Sequence, residues 1–154
     1  MRFPNFSLTA DDGTVQRRAD YRGRPFVVYF YPKDNTPGCS LESQAFRDAA
    51  PALTKLGVAV LGVSMDSQAS HCRFKAKYDL TFPLLVDDQH ELSGALGVWG
   101  EKKLYGRTFM GLVRSTFLVD STGEIVREWR KVKVAGHVDE VLAAARDLVR
   151  AAKP

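Results

Sequence analysis

Cysteine is scarce in this sequence, which has only Cys39 and Cys72 among its 154 residues. Two cysteines cannot build the disulfide framework that stabilises small secreted domains, and these two do not form a Cys-x-x-Cys motif. The missing motif disfavours a thiol–disulfide oxidoreductase. In a reducing compartment, where such a chain is expected, a cysteine is more often catalytic or metal-binding than structural.

Long apolar runs are also absent. No run approaches the roughly 20 residues that a helix needs to cross a bilayer, so we expect no association with a membrane. Residues 1–10 lack the charged start and the long apolar core of a signal peptide, and we therefore expect a cytoplasmic protein. Since no internal repeat or linker divides the chain, we predict one domain over residues 1–154.

Metal and nucleotide signatures are missing as well. His71, His90 and His137 have no ligand spacing, and no glycine-rich phosphate loop occurs, so we expect neither a metal nor another cofactor. The net charge is +4, and basic residues concentrate between residues 102 and 133. They alternate with apolar residues and match no nucleic-acid-binding module. A solvated basic face is therefore a better interpretation than a nucleic-acid partner.

The hydrophobic pattern predicts an α/β fold with a central mixed sheet flanked by helices. Apolar runs at residues 26–31, 58–63 and 82–86 indicate buried strands. Helical spacing alternates with them, and the clearest amphipathic helix is the C-terminal one. In the helix that opens at Thr36, Pro51 should break or kink the chain and Gly57 should end it. The predicted helices cover residues 36–56, 66–78, 89–96 and 138–152.

Turn signals predict two hairpins. Short strands at residues 6–8 and 14–18 surround an Asp-Asp-Gly turn, and strands at residues 115–119 and 125–130 surround a second turn. Between residues 98 and 111 the pattern dissolves into aromatic, glycine and lysine residues. We interpret that segment as a loop near the functional site.

Cys39 occupies the most informative position, where a buried strand gives way to a helix. Thr36 suits the N-cap and Pro37 the first helical position, which makes Cys39 the third. A thiol there lies among unpaired backbone N–H groups at the positive end of the helix dipole, which favour the nucleophilic anion. We therefore predict a reactive cysteine, although an isolated cysteine beside a capped helix is more often structural.

The segment around this cysteine resembles a known family. YPKDNTPGC at residues 31–39, followed by FRD at residues 46–48, is similar to the active-site segment of the peroxiredoxins, in particular the bacterioferritin-comigratory-protein or Q-type subfamily. Further matching stretches lie at residues 62–67, 82–85 and 105–120, so the resemblance covers nearly the whole chain. Thr-x-x-Cys alone is weak evidence, and the distant Arg-Ser-Thr-Phe that begins at Arg114 makes the resemblance specific.

The resemblance implies a thioredoxin-like fold and the reduction of hydrogen peroxide or organic hydroperoxides by a peroxidatic Cys39. It implies that Thr36 and Arg114 complete the site and that Pro37 shields the sulfur from water. The backbone N–H groups of Gly38 and Cys39 would bind the peroxide, and the guanidinium would favour the thiolate and orient the substrate. A thioredoxin- or glutaredoxin-type reductant would restore the cysteine.

Each role also has a plain structural explanation. Thr36 could only cap the helix, and Arg114 could be a solvated charge at the start of a strand. Glu42, three residues after Cys39, could join the hydrogen-bond network or only complement the helix dipole. We expect Thr36 both to cap the helix and to take part in the site, we expect the catalytic role for Arg114, and we leave both explanations open for Glu42.

Cys72 is the candidate resolving cysteine. A sulfenic acid on Cys39 can condense with a second thiol, but the subfamily position five residues later is Gln44 here. Cys72 lies about one helical turn before Lys75, the second position associated with resolution. It lies roughly 200° around the helix from Phe74 and should face outward if Phe74 faces the core. We predict an intramolecular disulfide, with resolution by an external thiol or a sensor function as alternatives.

No long exposed apolar stripe or terminal extension indicates a large assembly, so we expect a monomer.

Overall fold

The computed structural model describes residues 1–152, apart from the side chain of Leu104, so residues 153 and 154 of the predicted domain lie outside it. Strands and helices alternate along the chain, as the sequence pattern predicts. In chain order the elements are β1 (Ser7–Thr9), β2 (Val15–Arg17), β3 (Phe26–Phe30), α1 (Pro37–Lys55), β4 (Ala59–Ser64), α2 (Gln68–Tyr78), β5 (Leu84–Val86), α3 (Glu91–Ala95), β6 (Trp99–Leu104), β7 (Arg107–Leu112), β8 (Ser115–Val119), β9 (Ile125–Arg130) and α4 (His137–Ala152).

The central sheet has five strands in the order β5-β4-β3-β8-β9. Strands β3, β4 and β5 are parallel, and β8 and β9 run antiparallel to them, which confirms the predicted mixed sheet. The side chains of β3 alternate between two cores. Tyr29 packs among residues of α1, α2 and α4, whereas Phe30 packs on the opposite face with β1 and α3. Because both faces are covered, β3 reads as a continuous apolar run.

Helix α1 runs through Pro51 to Lys55, so of the two predicted effects, a break or a kink, the break is wrong. A proline inside a helix costs about 3 kcal/mol through its missing N–H and its ring. Phe46 and Leu53, on either side of it, are completely buried and offset that cost. The helix ends as predicted before Gly57, which has a φ of +76° and donates its N–H to Thr54 O at 2.9 Å.

The predicted loop at residues 98–111 is also wrong, because the structure has the hairpin β6–β7 there. Its turn consists of Tyr105 and Gly106, with φ values of +52° and +75°, as a two-residue type I′ turn requires. The hairpin forms a separate two-stranded sheet, and most of its residues are exposed on both faces. It therefore lacks the alternation of apolar and polar residues that reveals a half-buried strand.

The other predicted hairpins, β1–β2 and β8–β9, are present. Ser67 caps α2 by accepting a hydrogen bond from Ser70 N–H at 3.1 Å, and α3 ends before Gly97. Within residues 1–152, the structure contains no helix with the length and apolar character needed to cross a membrane.

Candidate active site

Cys39 lies in the first turn of α1. This helix directly follows the active-site loop, which we define as residues 31–36. The side chain of Cys39 is buried, with 1% of its surface exposed. The first hydrogen bond of the helix runs from Ser40 N–H to Thr36 O, at 2.8 Å. The N–H groups of Gly38 and Cys39 precede that bond, so helix geometry directs them out of the helix start. The sulfur therefore lies beside two backbone donors.

Arg114 reaches the sulfur from the segment between β7 and β8. Its Nη2 donates to Cys39 Sγ at 3.2 Å, although 75 positions separate the two residues. Strand β8 pairs antiparallel with β3, with Ser115 opposite Phe30, so the start of β8 lies beside the end of β3. Gly38 leaves room for the guanidinium, since a Cβ there would lie 3.3 Å from Nη2. The structure thus brings together the two residues that the sequence predicts for the site.

Glu42 holds the other side of the guanidinium. Arg114 Nη1 donates to Glu42 Oε1 at 2.6 Å, which confirms that Glu42 belongs to the network around Cys39. The carboxyl is completely buried, and Oε2 has no hydrogen-bond partner within the described chain. Burial raises the pKa of Glu42 to about 7, and the charge and hydrogen bond of Arg114 only partly oppose this rise. The carboxyl therefore changes charge near neutral pH.

Replacing this carboxyl should change how stability depends on pH. Because the folded pKa of Glu42 lies above the ordinary 4.5, the stability contributed by its neutral form is complete below about pH 4.5. It is lost as the pH rises through about 7, at a cost of about 3 kcal/mol. Glu42→Gln cannot ionise, so its free energy of unfolding, measured by urea denaturation, should fall less between pH 4.5 and 8.

The matched control for this prediction is Glu91→Gln, which changes an exposed glutamate in the first turn of α3. That variant should keep the wild-type dependence of stability on pH. If Glu42→Gln also kept it, the assignment of a raised pKa to Glu42 would be wrong.

Thr36 occupies the N-cap position, but its side chain does not cap the helix. The hydroxyl donates to the carbonyl oxygen of Lys33 at 2.9 Å, which closes a turn within the active-site loop. Capping by the Thr36 side chain is therefore a wrong expectation, because the bond within the loop takes its place. Pro37 is the first helical residue, as predicted, and is exposed beside the buried Cys39.

Cys72 lies on the exposed side of α2, and Phe74 on the same helix is buried, as the helical spacing predicts. Cys39 and Cys72 are both free thiols. Two contacts join the C-terminal end of α2 to the active-site loop and to α1. Lys77 Nζ donates to Asn35 Oδ1 at 2.9 Å, and Arg47 Nη1 donates to Tyr78 O at 2.7 Å.

The sequence analysis missed a buried polar cluster beside the active-site loop. His71 on α2 and Asp34 in the loop are buried, and His71 Nδ1 lies 2.7 Å from Asp34 Oδ2. The spacing of His71 from Phe74 was the available signal, since both lie on one helical stripe. Asp66 brings a third possible metal ligand within 4.8 Å. Both ring nitrogens of His71 already face protein acceptors, so the ring offers no free nitrogen to a metal.

Comparisons with known proteins agree with this geometry. The model of the AhpC/TSA family matches residues 1–128. Peroxiredoxin Bcp of Bacillus subtilis is 48% identical over 145 residues, which cover 94% of this chain and 92% of that protein. Peroxiredoxin Bcp of Escherichia coli K12 is 42% identical over 139 residues, covering 90% and 89%.

Solved structures include proteins with a similar fold and a similar sequence. A structure of the bacterioferritin comigratory protein of Xanthomonas campestris superposes with a TM-score of 0.90 at 44% identity. The match covers 94% of this chain and 92% of that chain. The Xanthomonas protein is described with an alkyl peroxide reduction activity and with a trapped intermediate.

Proposed function

Because the chain belongs to the AhpC/TSA family and is a peroxiredoxin, a thiol peroxidase with a thioredoxin-like fold, we propose that Cys39 is its peroxidatic cysteine. One observation carries this proposal: the guanidinium of Arg114 donates to the sulfur at 3.2 Å in the first turn of a helix. A fixed positive charge and the helix start both favour the thiolate, which is the nucleophilic form of cysteine.

The proposed substrates are hydrogen peroxide and organic hydroperoxides. The thiolate of Cys39 attacks one oxygen of the peroxide, so that an S–O bond forms while the O–O bond breaks. The departing oxygen takes up a proton and leaves as water or an alcohol. The cysteine is oxidised to a sulfenic acid, and the hydroperoxide is reduced.

Three donors are available for the charge that develops in this step. The guanidinium of Arg114 can hold the peroxide through its planar fork, and the N–H groups of Gly38 and Cys39 point from the helix start. Such fixed donors stabilise the negative charge on the departing oxygen without reorganisation. Pro37 covers the start of the helix and limits the access of water to the sulfur.

Thr36 completes the proposed site as an acceptor. Its hydroxyl proton is committed to the Lys33 carbonyl, which leaves the oxygen lone pairs for the O–H of the incoming hydroperoxide. In this arrangement Thr36 orients the substrate, while Arg114 and the backbone stabilise the leaving oxygen.

We propose Cys72 as the resolving cysteine. Its thiol condenses with the sulfenic acid of Cys39, and the products are a disulfide and water. Cys39 is buried in α1 and Cys72 is exposed on α2, and we expect α1 or α2 to move before the two sulfurs bond. A thioredoxin- or glutaredoxin-type protein would then reduce the disulfide. The alternatives are resolution of Cys39 by an external thiol, or a sensor that transfers its oxidation to a partner.

The intact mass after one equivalent of hydrogen peroxide tests this assignment. Wild type should lose two hydrogens, because both thiols enter one disulfide. Cys72→Ser should instead gain one oxygen, because its sulfenic acid has no internal partner, and thioredoxin-supported turnover should fall at least about tenfold. The first oxidation should keep its wild-type rate in this variant. Normal turnover of Cys72→Ser would exclude the resolving role and favour an external thiol.

The composition of the chain supports proposals about its location, assembly and partners. We propose a cytoplasmic monomer that binds neither a membrane nor nucleic acid, since the basic residues between 102 and 133 alternate with apolar residues and both cysteines are free thiols. Sedimentation of the reduced protein would test the monomeric state.

A further inference from the structure

His71 is a completely buried histidine that joins α2 to two other parts of the fold. Its Nδ1 lies 2.7 Å from Asp34 Oδ2 in the active-site loop, and its Nε2 lies 2.8 Å from the carbonyl oxygen of Leu85 in β5. The residue after it on the same helix is Cys72. One ring therefore connects the helix of the second thiol with the loop that leads to Cys39.

The hydrogen bonds define the charge of this ring. A carbonyl oxygen can only accept, so Nε2 carries a proton. Asp34 also accepts from the hydroxyls of Tyr31 at 2.6 Å and Ser70 at 2.8 Å. Two hydroxyl donors already point at this carboxyl group and favour its ionised form, so we assign the proton between Nδ1 of His71 and Oδ2 of Asp34 to the ring. The buried pair is an imidazolium and a carboxylate.

The pKa of His71 agrees with this description. Burial alone lowers the pKa, but the hydrogen bond and the charge of Asp34, with the Leu85 carbonyl, raise it more. The pKa in the folded protein therefore lies above the ordinary 6.5.

We propose that the imidazolium of His71 is a latch that holds α2 against the active-site loop and that loss of its proton releases α2. In the neutral ring, a lone pair on Nδ1 would face the carboxylate of Asp34, which would lose its charged partner while still buried. His71 is thus a positioning residue. It acts on Cys39 through Asp34 and the loop, and on Cys72 through α2.

The titratable groups that face His71 come from two other parts of the chain. Asp34 and Tyr31 belong to the active-site loop, and Asp66 lies between β4 and α2, where it accepts from Asp34 N–H at 2.9 Å. Strand β5 contributes only the Leu85 carbonyl. Both carboxylates favour the charged ring, and burial raises the pKa of Tyr31 well above 10, so its hydroxyl stays neutral. Within this cluster, His71 is the cationic group, and its pKa lies above the ordinary 6.5.

Proton binding by His71 is coupled to the closed position of α2, and this coupling sets the direction in which pH changes opening. Since the pKa of His71 is raised in the closed state, the latch has its full strength below the ordinary pKa of about 6.5. Its contribution is lost as the pH rises through the folded pKa. Between these two values, the equilibrium constant for opening α2 should rise with pH, by at most about tenfold per pH unit.

Release of α2 should speed the second chemical step, which is the formation of the disulfide. This part rests on the proposed role of Cys72, whose thiol must approach the sulfenic acid of Cys39 and displace water. A closed latch keeps α2 docked while the peroxide reacts, and an open latch frees the helix for disulfide formation.

The first test measures the protonation of the ring directly. In ¹⁵N NMR of the full-length reduced protein, both nitrogens of His71 should have the shifts of an imidazolium at pH 6.5. His137 should be neutral in the same spectrum, because burial lowers its pKa to about 4. His→Gln variants at each position assign the signals. A neutral His71 at pH 6.5 would overturn the latch.

The second test measures the opening of α2 by hydrogen exchange over residues 68–78, corrected for the intrinsic effect of pH. In wild type, opening should increase with pH above 6.5, by at most about tenfold per pH unit, until the folded pKa is reached. His71→Gln should open at least about tenfold more than wild type at pH 6.5, with no further rise. An opening of α2 that is independent of pH in wild type, or the same rise in His71→Gln, would contradict the proposal.

Two control variants separate the latch from a general loosening. Ser70→Ala removes one hydrogen bond to Asp34 but no titrating group, so it should raise opening by a constant factor and keep the pH slope. His90→Gln changes a histidine whose ring stacks on Trp99 of β6, and it should keep the wild-type pH slope. A lost slope in either control would count against His71 as the titrating group.

The last measurement concerns the disulfide. The rate of disulfide formation in His71→Gln, divided by that in wild type, should exceed about ten at pH 6.5 and approach one at high pH. If exchange follows the expected pattern but no intramolecular disulfide forms, the role of Cys72 fails and the latch stands. If a disulfide forms while exchange does not depend on pH, the latch fails and the role of Cys72 stands.

Discussion

Cys39→Ser is expected to abolish hydroperoxide consumption, with a loss on the order of 10⁴-fold or more, down to the background of the assay. A serine hydroxyl does not ionise near neutral pH and cannot form the sulfenic acid on which the cycle depends. The exchange of sulfur for oxygen is small, and the side chain keeps the contact with Arg114 as a possible hydrogen bond. The variant should therefore fold normally and bind substrate without consuming it.

The measurement is hydroperoxide consumption by a stopped assay, with thioredoxin and its reductase in excess. Cys72→Ser is the matched control, since it removes the other thiol and should retain the first oxidation. Consumption that persists in Cys39→Ser would remove the basis for the peroxidatic role. A first oxidation that fails in Cys72→Ser would transfer that role to the exposed thiol.

Arg114→Lys should lower the rate of the first oxidation by roughly 10²- to 10³-fold, the usual cost of losing a fixed donor from a charge-stabilising site. An ammonium is a single point charge, whereas the guanidinium contacts the sulfur with Nη2 and Glu42 with Nη1 at the same time. Lysine can satisfy one of these partners but not both in the same planar geometry. The rate constant of Cys39 oxidation is measured from the change in tryptophan fluorescence on mixing with peroxide.

Arg114→Met separates catalysis from stability. Removing the guanidinium leaves Glu42 buried without its charged partner, and the free energy of unfolding should fall by about 3 kcal/mol at pH 8. The double variant Arg114→Met with Glu42→Gln has no buried charge to compensate, so it should recover most of that stability while the oxidation stays slow. If the double variant recovered its activity along with its stability, Arg114 would have only a structural role.

The active-site segment shows how far local sequence can be interpreted. A buried strand, a proline at the first helical position and a cysteine two residues later place a thiol at a helix start, and the structure confirms that arrangement. These rules act over a few residues, so the sequence carries all the information that they need. The strands of the central sheet and helix α4 were predictable for the same reason, because their hydrophobic periods match their burial.

Where local signals failed, packing had overridden them. Helix α1 continues through Pro51 because the buried residues around it contribute more than the proline costs. Hairpin β6–β7 lies outside the central sheet, so its exposed faces never required an alternating pattern. Thr36 stands at the N-cap, but its hydroxyl donates to the Lys33 carbonyl and accepts no N–H from the helix start.

The sequence by itself determined the fold class, the strand–helix junction at Cys39 and the outward direction of Cys72. The contact of Arg114 with the sulfur followed from the sequence only through resemblance, and its distance required the antiparallel pairing of β8 with β3. The raised pKa of Glu42 and the buried charge of His71 were decided by the tertiary structure alone. Desolvation depends on which distant segments cover a side chain, and no property of its neighbours in the sequence specifies that.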